Sequence, residues 1–222
     1  MRPKGFVFDC DGTLLDSMGM WVEAVPRFVE RFGVHATRRD FEETEHLPIP
    51  ACCRIYHERW GIGDSPEDLE RQYNEMLAEE YRTSIGMREG ALSALEMGRR
   101  AGIPMSIASS TSVPLLEVGL AACGIRDYFE GVFCTADYGT SKDEARIYDV
   151  ARECLGEGIA PGETWVFEDA PFAAASAKRG GYNVVGVFDR NRADTQDELR
   201  RAADVYVRSL DELTLDMLEI GE

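Results

Sequence analysis

Six short apolar runs recur along the chain with helical patterns between them, and this alternation narrows the possible folds more than any other feature. The runs are GFVF at 5–8, PMSIAS at 104–109, GVFCT at 131–135, TWVFE at 164–168, NVVGVF at 183–188 and DVYV at 204–207. β-branched and aromatic residues dominate them, and most are nearly continuous in apolarity. Such runs suit strands covered on both faces, as in a parallel sheet. Helical segments at 90–101, 113–123, 143–155 and 171–179 separate them. Each stops at a glycine (Gly102, Gly124, Gly156 and Gly180), and the last begins at Pro171. Proline at a helix start and glycine just past its end is the expected asymmetry. Strand–helix alternation implies right-handed crossovers and an α/β, doubly wound parallel sheet of Rossmann-like type.

One region breaks the alternation. From about Met18 to Ile85 there is no convincing strand. Met18, Val22, Val25, Phe28, Val29 and Phe32 recur at helical spacing, with Pro26 inside the run to kink the helix or remove one hydrogen bond. A second helix is expected from Ser65-Pro66, with Ser65 as N-cap and Leu69, Tyr73, Met76 and Leu77 on one stripe. Shorter helical turns are expected in 40–60. The expected organisation is a core domain of residues 1–16 and 87–222, interrupted by an α-helical cap domain at 17–86. The insertion leaves and returns near the end of the first strand, where ligands bind in open α/β sheets, and is well placed to be a lid.

Composition narrows the partners. The 222 residues carry 41 acidic and 24 basic side chains, a net charge of −17. Such a surface repels phosphate backbones, so no nucleic-acid partner is expected. A small phosphate ester remains compatible if a metal or a local cation inverts the field in a cleft. No run of about 18 apolar residues suggests a membrane span, and the N-terminus has no long apolar h-region. Cysteines 10, 52, 53, 123, 134 and 154 contain no CxxC pair. They read as reduced buried thiols of a cytoplasmic protein. A monomer is the default expectation.

The strand ends carry the chemistry. The first strand ends in Asp9 and Asp11, the second in Ser109, and the fourth in Glu168-Asp169; Lys142 follows the third after a short loop. In a parallel sheet these carboxyl ends lie at one edge. Taken singly, each has a plainer reading. Asp9 and Asp11 could end a strand and open a turn, Ser109 and Asp169 could cap helices, and Lys142 could be a surface lysine. Taken together, carboxylates, a hydroxyl and an ammonium converge on one crevice. Neighbouring carboxylates raise one another's pKa. A divalent cation removes that penalty, and hard oxygen ligands suit Mg²⁺.

DCDGTLLDS (9–17), IASS (107–110), KDEARIY (142–148) and VFEDAPFAAASAKRGGY (166–182) stand in order along the chain. With these four motifs the sequence resembles the haloacid dehalogenase superfamily, in the branch of β-phosphoglucomutase and sugar-phosphate phosphatases with a small helical cap. The resemblance implies a Mg²⁺-dependent phosphatase acting on a small phosphorylated metabolite through an aspartyl-phosphate. It assigns Asp9 as nucleophile and Asp11 as general acid and base. Ser109, Ser110 and Lys142 would hold the phosphoryl oxygens, and Lys142 would also orient Asp9. Asp9, the carbonyl of Asp11 and Asp169 would surround the metal, with Glu168 as a further ligand or as support for them. Gly12 would allow the tight turn, with Thr13 hydrogen-bonded inside it. The sequence departs from the family where Asp143 and Ala145 replace frequent prolines, and where Ala170 and Ala173 stand for serine and glycine.

The cap should choose the substrate. Mutases of the resembled branch carry a cap loop with an arginine that grips a second phosphate. Residues 42–61 contain no clean match, and offer His46, Arg54, His57 and Arg59 as polar candidates. Hydrolysis is therefore expected over a hexose-phosphate mutase. Dehalogenase chemistry needs no metal and no second aspartate. Phosphonate cleavage would want a cap lysine, and residues 5–103 contain none. A non-catalytic binding module is the remaining alternative.

Overall fold

The computed structural model of the protein describes residues 2–44 and 47–219. Its centre is one six-stranded sheet of β1 (Gly5–Phe8), β2 (Met105–Ser109), β3 (Gly131–Cys134), β4 (Thr164–Glu168), β5 (Asn183–Val187) and β6 (Val205–Val207). Every pairing is parallel, and the spatial order is β3-β2-β1-β4-β5-β6. From β1 the chain winds outward on both sides. The carboxyl ends of β1, β2 and β4 therefore flank a topological switch point.

Four helices follow β1: α1 (Met18–Glu30), α2 (Arg38–Glu42), α3 (Ile49–Trp60) and α4 (Pro66–Thr83). The winding then continues through α5 (Ala91–Arg100), α6 (Val113–Ala122), α7 (Arg146–Glu153), α8 (Pro171–Arg179) and α9 (Gln196–Ala202). Strand residues alternate between two cores. Phe6, Phe8, Ile107 and Phe167 join Leu95 of α5 and Leu116 and Leu120 of α6. Val7, Ala108 and Val166 join Ile147 of α7, Ala174 of α8 and Leu199 of α9. This period-2 division makes the layer doubly wound. Phe8 and Phe167 are register partners and stack at 4.1 Å between ring centroids, with Phe6 edge-on to Phe167 at 5.1 Å.

The inserted helices have their own core of Val25, Phe28, Val29, Cys53, Tyr56, Leu69, Tyr73 and Leu77, closed from the sheet side by Leu115. Helix α1 runs through Pro26 without a break. Ser65 caps α4 by accepting from the Asp68 amide at 3.1 Å. Residues 40–60 hold more than the short turns expected from sequence, since α3 makes three full turns. It starts at Ile49-Pro50 and ends at Gly61 in the left-handed region (φ 62°). Its buried stripe of Ile49, Cys52, Cys53 and Tyr56 is half cysteine, which blurs the apolar period. The short α9 was also not evident from the sequence pattern.

The two crossings between sheet and insertion lie side by side. Leu15 bridges Met87 in antiparallel fashion, the Asp16 amide donates to the Gly86 carbonyl, and the Arg88 amide donates to the Leu14 carbonyl. The six cysteines are unbridged. Cys10, Cys52, Cys53 and Cys134 are buried, whereas Cys154 is exposed, against the expectation of a uniformly buried set. Its position at the end of α7 turns it out of the apolar face.

Phe167 is fully buried in the stacked aromatic layer. Phe167→Ala should cost about 3–5 kcal/mol through lost transfer energy and the cavity left behind. Denaturant unfolding at constant m-value checks this.

Candidate active site

The β1 turn places its two aspartates differently. The Asp9 amide donates to the Phe167 carbonyl at 2.9 Å and extends the β1–β4 ladder by one residue. The chain then tightens, with Leu14 and Leu15 amides both donating to the Cys10 carbonyl. Gly12 sits at φ 90°, and a Cβ there would stand 2.4 Å from Asp169 Oδ2. Only glycine lets this turn approach the Asp169 carboxylate so closely. Thr13 is buried, but its hydroxyl has no partner among the described residues, contrary to the hydrogen bond expected for it.

Lys142 is the centre of the charge arrangement. Its ammonium donates to Asp9 Oδ1 and, at 2.6 Å, to Glu168 Oε1. All three residues are buried. Glu168 Oε1 also accepts from the Tyr148 hydroxyl at 2.8 Å. Ser176 donates to the Lys142 carbonyl at 2.5 Å and so anchors the loop that carries the lysine. Asp169 accepts from Arg192 Nε at 3.1 Å. Ligand atoms of Asp9, Glu168 and Asp169 lie within 4.8 Å of one another.

Asp11 stands outside that cluster. Its Oδ1 accepts from Ser17 Oγ at 2.5 Å and from the Tyr81 hydroxyl, while its Oδ2 accepts from Thr111 Oγ1 at 2.8 Å. Ser109 Oγ accepts from the Thr111 amide at 3.0 Å, which folds the end of β2 over the same crevice.

A cavity of about 100 Å³ opens between the strand ends and the inserted helices. Asp9, Asp11, Ser109, Ser110, Lys142, Glu168 and Asp169 line one side. Trp21, Phe41, Leu47 and Tyr56 are among the residues facing them from the insertion. Arg54 and His57 are not lining residues. Arg54 is exposed, and His57 Nδ1 pairs with the Ile62 carbonyl at 2.7 Å. Arg59 pairs with Asp40 and Glu43. Each points along the outer part of α3, because the inner stripe is taken by Cys52 and Tyr56. His46 lies outside the described residues.

Three carboxylates against the Lys142 ammonium and the Arg192 guanidinium leave an excess of negative charge in a buried site. Burial pushes the Asp9 carboxyl well above the usual carboxylate range; Lys142 opposes this, and Glu168, Asp169 and Asp11 reinforce it. Burial likewise raises Asp169 from 3.8 to about 7, against Arg192 and with the charges of Glu168 and Asp189. Burial disfavours the Lys142 ammonium, but the Asp9 and Glu168 charges outweigh it and hold its pKa above the ordinary lysine value. Asp9 Oδ2 and Glu168 Oε2 are buried and lack a hydrogen-bond partner among the described residues. Orphaned carboxylate oxygens beside excess negative charge fit a hard divalent cation of the Mg²⁺ type.

With this geometry in view, the comparisons are specific. A family model described as haloacid dehalogenase-like hydrolase matches residues 6–187. The chain belongs to that family. It is 28% identical to hexitol phosphatase A of Escherichia coli over 229 aligned positions, covering 100% of this chain and 98% of the relative. It is 26% identical to the phosphorylated carbohydrates phosphatase of Thermotoga maritima, covering 86% of this chain and 89% of the relative. Among solved structures, CbbY from Rhodobacter sphaeroides in complex with phosphate superposes with a TM-score of 0.79 at 22% identity, covering 95% and 96% of the two chains. A β-phosphoglucomutase-described structure from Thermotoga maritima gives a TM-score of 0.74 at 24% identity, covering 97% and 98%. The protein is thus an α/β hydrolase whose sequence relatives include phosphatases.

Sequence reasoning missed Ser17, Tyr81, Thr111, Tyr148, Ser176 and Arg192. Ser17 ends the first motif and Thr111 follows the second, so both were within reach. Tyr81 and Tyr148 sit on apolar helix faces, where a tyrosine reads as core and its hydroxyl goes unnoticed.

A pH signature follows from the raised carboxyls. Between about pH 4 and pH 7 the folded, metal-free protein holds protons that the unfolded chain would release, so this contribution to stability declines as pH rises. A cation needs the ionised carboxylates and relieves the same repulsion. Added Mg²⁺ should therefore raise Tm more at roughly pH 8 than at roughly pH 5.5, as read by thermal unfolding with EDTA controls.

Proposed function

We propose that this protein is a Mg²⁺-dependent phosphatase that hydrolyses a small phosphorylated metabolite, a sugar phosphate, through an aspartyl-phosphate on Asp9. The observation that carries this reading is the division of labour between two aspartates on one cavity. Asp9 keeps a buried oxygen without a hydrogen-bond partner beside Lys142, and Asp11 is held apart by three hydroxyls. The phosphatase relatives support the reaction class, and their names support the substrate class.

In this reading the Asp9 carboxylate attacks phosphorus and the ester P–O bond breaks. Asp11 gives its proton to the departing alkoxide oxygen. A water molecule then attacks the aspartyl-phosphate, Asp11 takes a proton from it, and phosphate leaves with Asp9 restored. Ser109, Ser110 and the amides that follow them hold the phosphoryl oxygens, and Lys142 neutralises them while fixing Asp9. Such positioning and charge neutralisation supply most of the acceleration in a loose phosphoryl-transfer transition state. Mg²⁺, when bound, adds positive charge for the incoming phosphate dianion; Asp9, Asp169, the Asp11 carbonyl and Glu168 are the residues to hold it.

We read residues 1–16 and 87–222 as the catalytic core domain and 17–86 as its cap. The leaving group then faces Trp21, Phe41 and Tyr56. A mutase reading would require a grip on a second phosphate. Among the described lining residues the cations are Lys142 and Arg192, both contributed by the core segments. Hydrolysis is the reading this favours.

Asp9→Asn should abolish phosphate release, and Asp11→Asn should reduce it by about 10²- to 10⁴-fold, the usual contribution of general acid–base catalysis. A panel of phosphorylated sugars and polyols with Mg²⁺, scored by inorganic phosphate, tests both variants against unchanged circular dichroism. Normal release by the Asp9→Asn protein would refute the assignment.

A further inference from the structure

We infer that Tyr81 is a positioning residue for the general acid and base, reaching Asp11 from the last helix of the insertion. The inference rests on the role proposed above for Asp11. Tyr81 lies in the last turn of α4 and is fully buried. Its hydroxyl donates to Asp11 Oδ1 and accepts from Trp21 Nε1 at 3.0 Å. The Tyr81 and Trp21 rings meet edge to face at 6.4 Å. One phenol oxygen thus joins the turn after β1, helix α4 and helix α1.

The three donors on Asp11 differ in where they stand. Ser17 and Tyr81 both hold Oδ1, and neither lines the cavity. Thr111 holds Oδ2 and does line it. Oδ1 is therefore the anchored edge of the carboxyl group and Oδ2 the edge turned to the reaction. Two donors on one oxygen restrict rotation about the Cβ–Cγ bond. A carboxyl group so held presents the same oxygen to the leaving group at each turnover, with no orientation to be paid for at the barrier.

The phenol itself is aimed by a missing side chain. A Cβ on Gly119 of α6 would lie 2.7 Å from Tyr81 Cδ1. Glycine at this helical position lets α4 and α6 close enough for the ring to reach Asp11. Trp21 adds a link to function, because it lines the cavity and at the same time orients the Tyr81 hydroxyl. The cavity wall and Asp11 thus share one hydrogen-bonded oxygen.

Leaving-group dependence tests this. An alkyl phosphate needs protonation of a poor leaving group, whereas p-nitrophenyl phosphate does not. The ratio kcat/KM reports only steps up to leaving-group departure, so it isolates the acid role of Asp11. Tyr81→Phe should lower kcat/KM about tenfold for an alkyl phosphate that the wild-type enzyme hydrolyses, and less than about threefold for p-nitrophenyl phosphate. Gly119→Ala keeps the tyrosine, does not touch the cavity lining, and should shift the same ratio in the same direction by displacing the ring. It also keeps the test open if Tyr81→Phe fails to fold. Equal losses on both substrates, or no loss on the alkyl phosphate, would overturn the inference. An Asp11→Asn control separates the two levels: if it turns over the alkyl phosphate normally, the Asp11 assignment fails and the Tyr81 inference fails with it.

Discussion

The ammonium of Lys142, buried between Asp9 and Glu168, is the contact on which the site depends. It joins the loop after β3 to the ends of β1 and β4, across the middle of the sheet. Without it, carboxylates from adjacent strands would meet unscreened in a water-poor crevice. Lys142 and, at Asp169, Arg192 meet two of the three negative charges, and the one that remains is what suits the crevice to a divalent cation. Tyr148 and Ser176 act on the same contact from the helical layer, one bonding Glu168 and the other the Lys142 carbonyl. The polar network is thus held by helices whose other faces are core.

The insertion is tied to this centre by more than its two covalent crossings. Arg88 reaches both Asp16 and the fully buried Asp189, and Arg190 pairs with Asp16 at 2.7 Å. Arg38 of α2 donates to the Asn191 carbonyl at 2.7 Å. The loop after β5 therefore touches the outgoing crossing, the returning crossing and the inserted helices. The same loop supplies Arg192 to Asp169. Asp169 and the helical insertion share one support.

Much of the fold was legible because its signals are local. Continuous apolar runs mark strands buried on both faces, and glycines mark helix ends. The weak spots were α3, whose buried stripe borrows two cysteines, and α9, which is too short to show a period. At the site, Asp9, Lys142, Glu168 and Asp169 stand together in space although 160 residues separate the first from the last. The strand-end rule was enough to group them. It could not separate Asp11 from them, because two residues in a turn have no period to follow.

What the sequence by itself determined is the layer architecture and the chemical groups at the sheet's edge. Both follow from strand ends, helix ends and charge, which are short-range properties of the chain. Which carboxylate oxygen is held and by whom was decided only in three dimensions. Tyr81 and Thr111 reach Asp11 from 70 and 100 residues away, the first on helix α4 and the second on the loop that follows β2. The insertion's contribution was decided the same way. Its polar residues at 54, 57 and 59 point along the outer part of α3, since the inner stripe had to bury Cys52 and Tyr56. Burial decides which face turns inward, and burial belongs to the assembled structure.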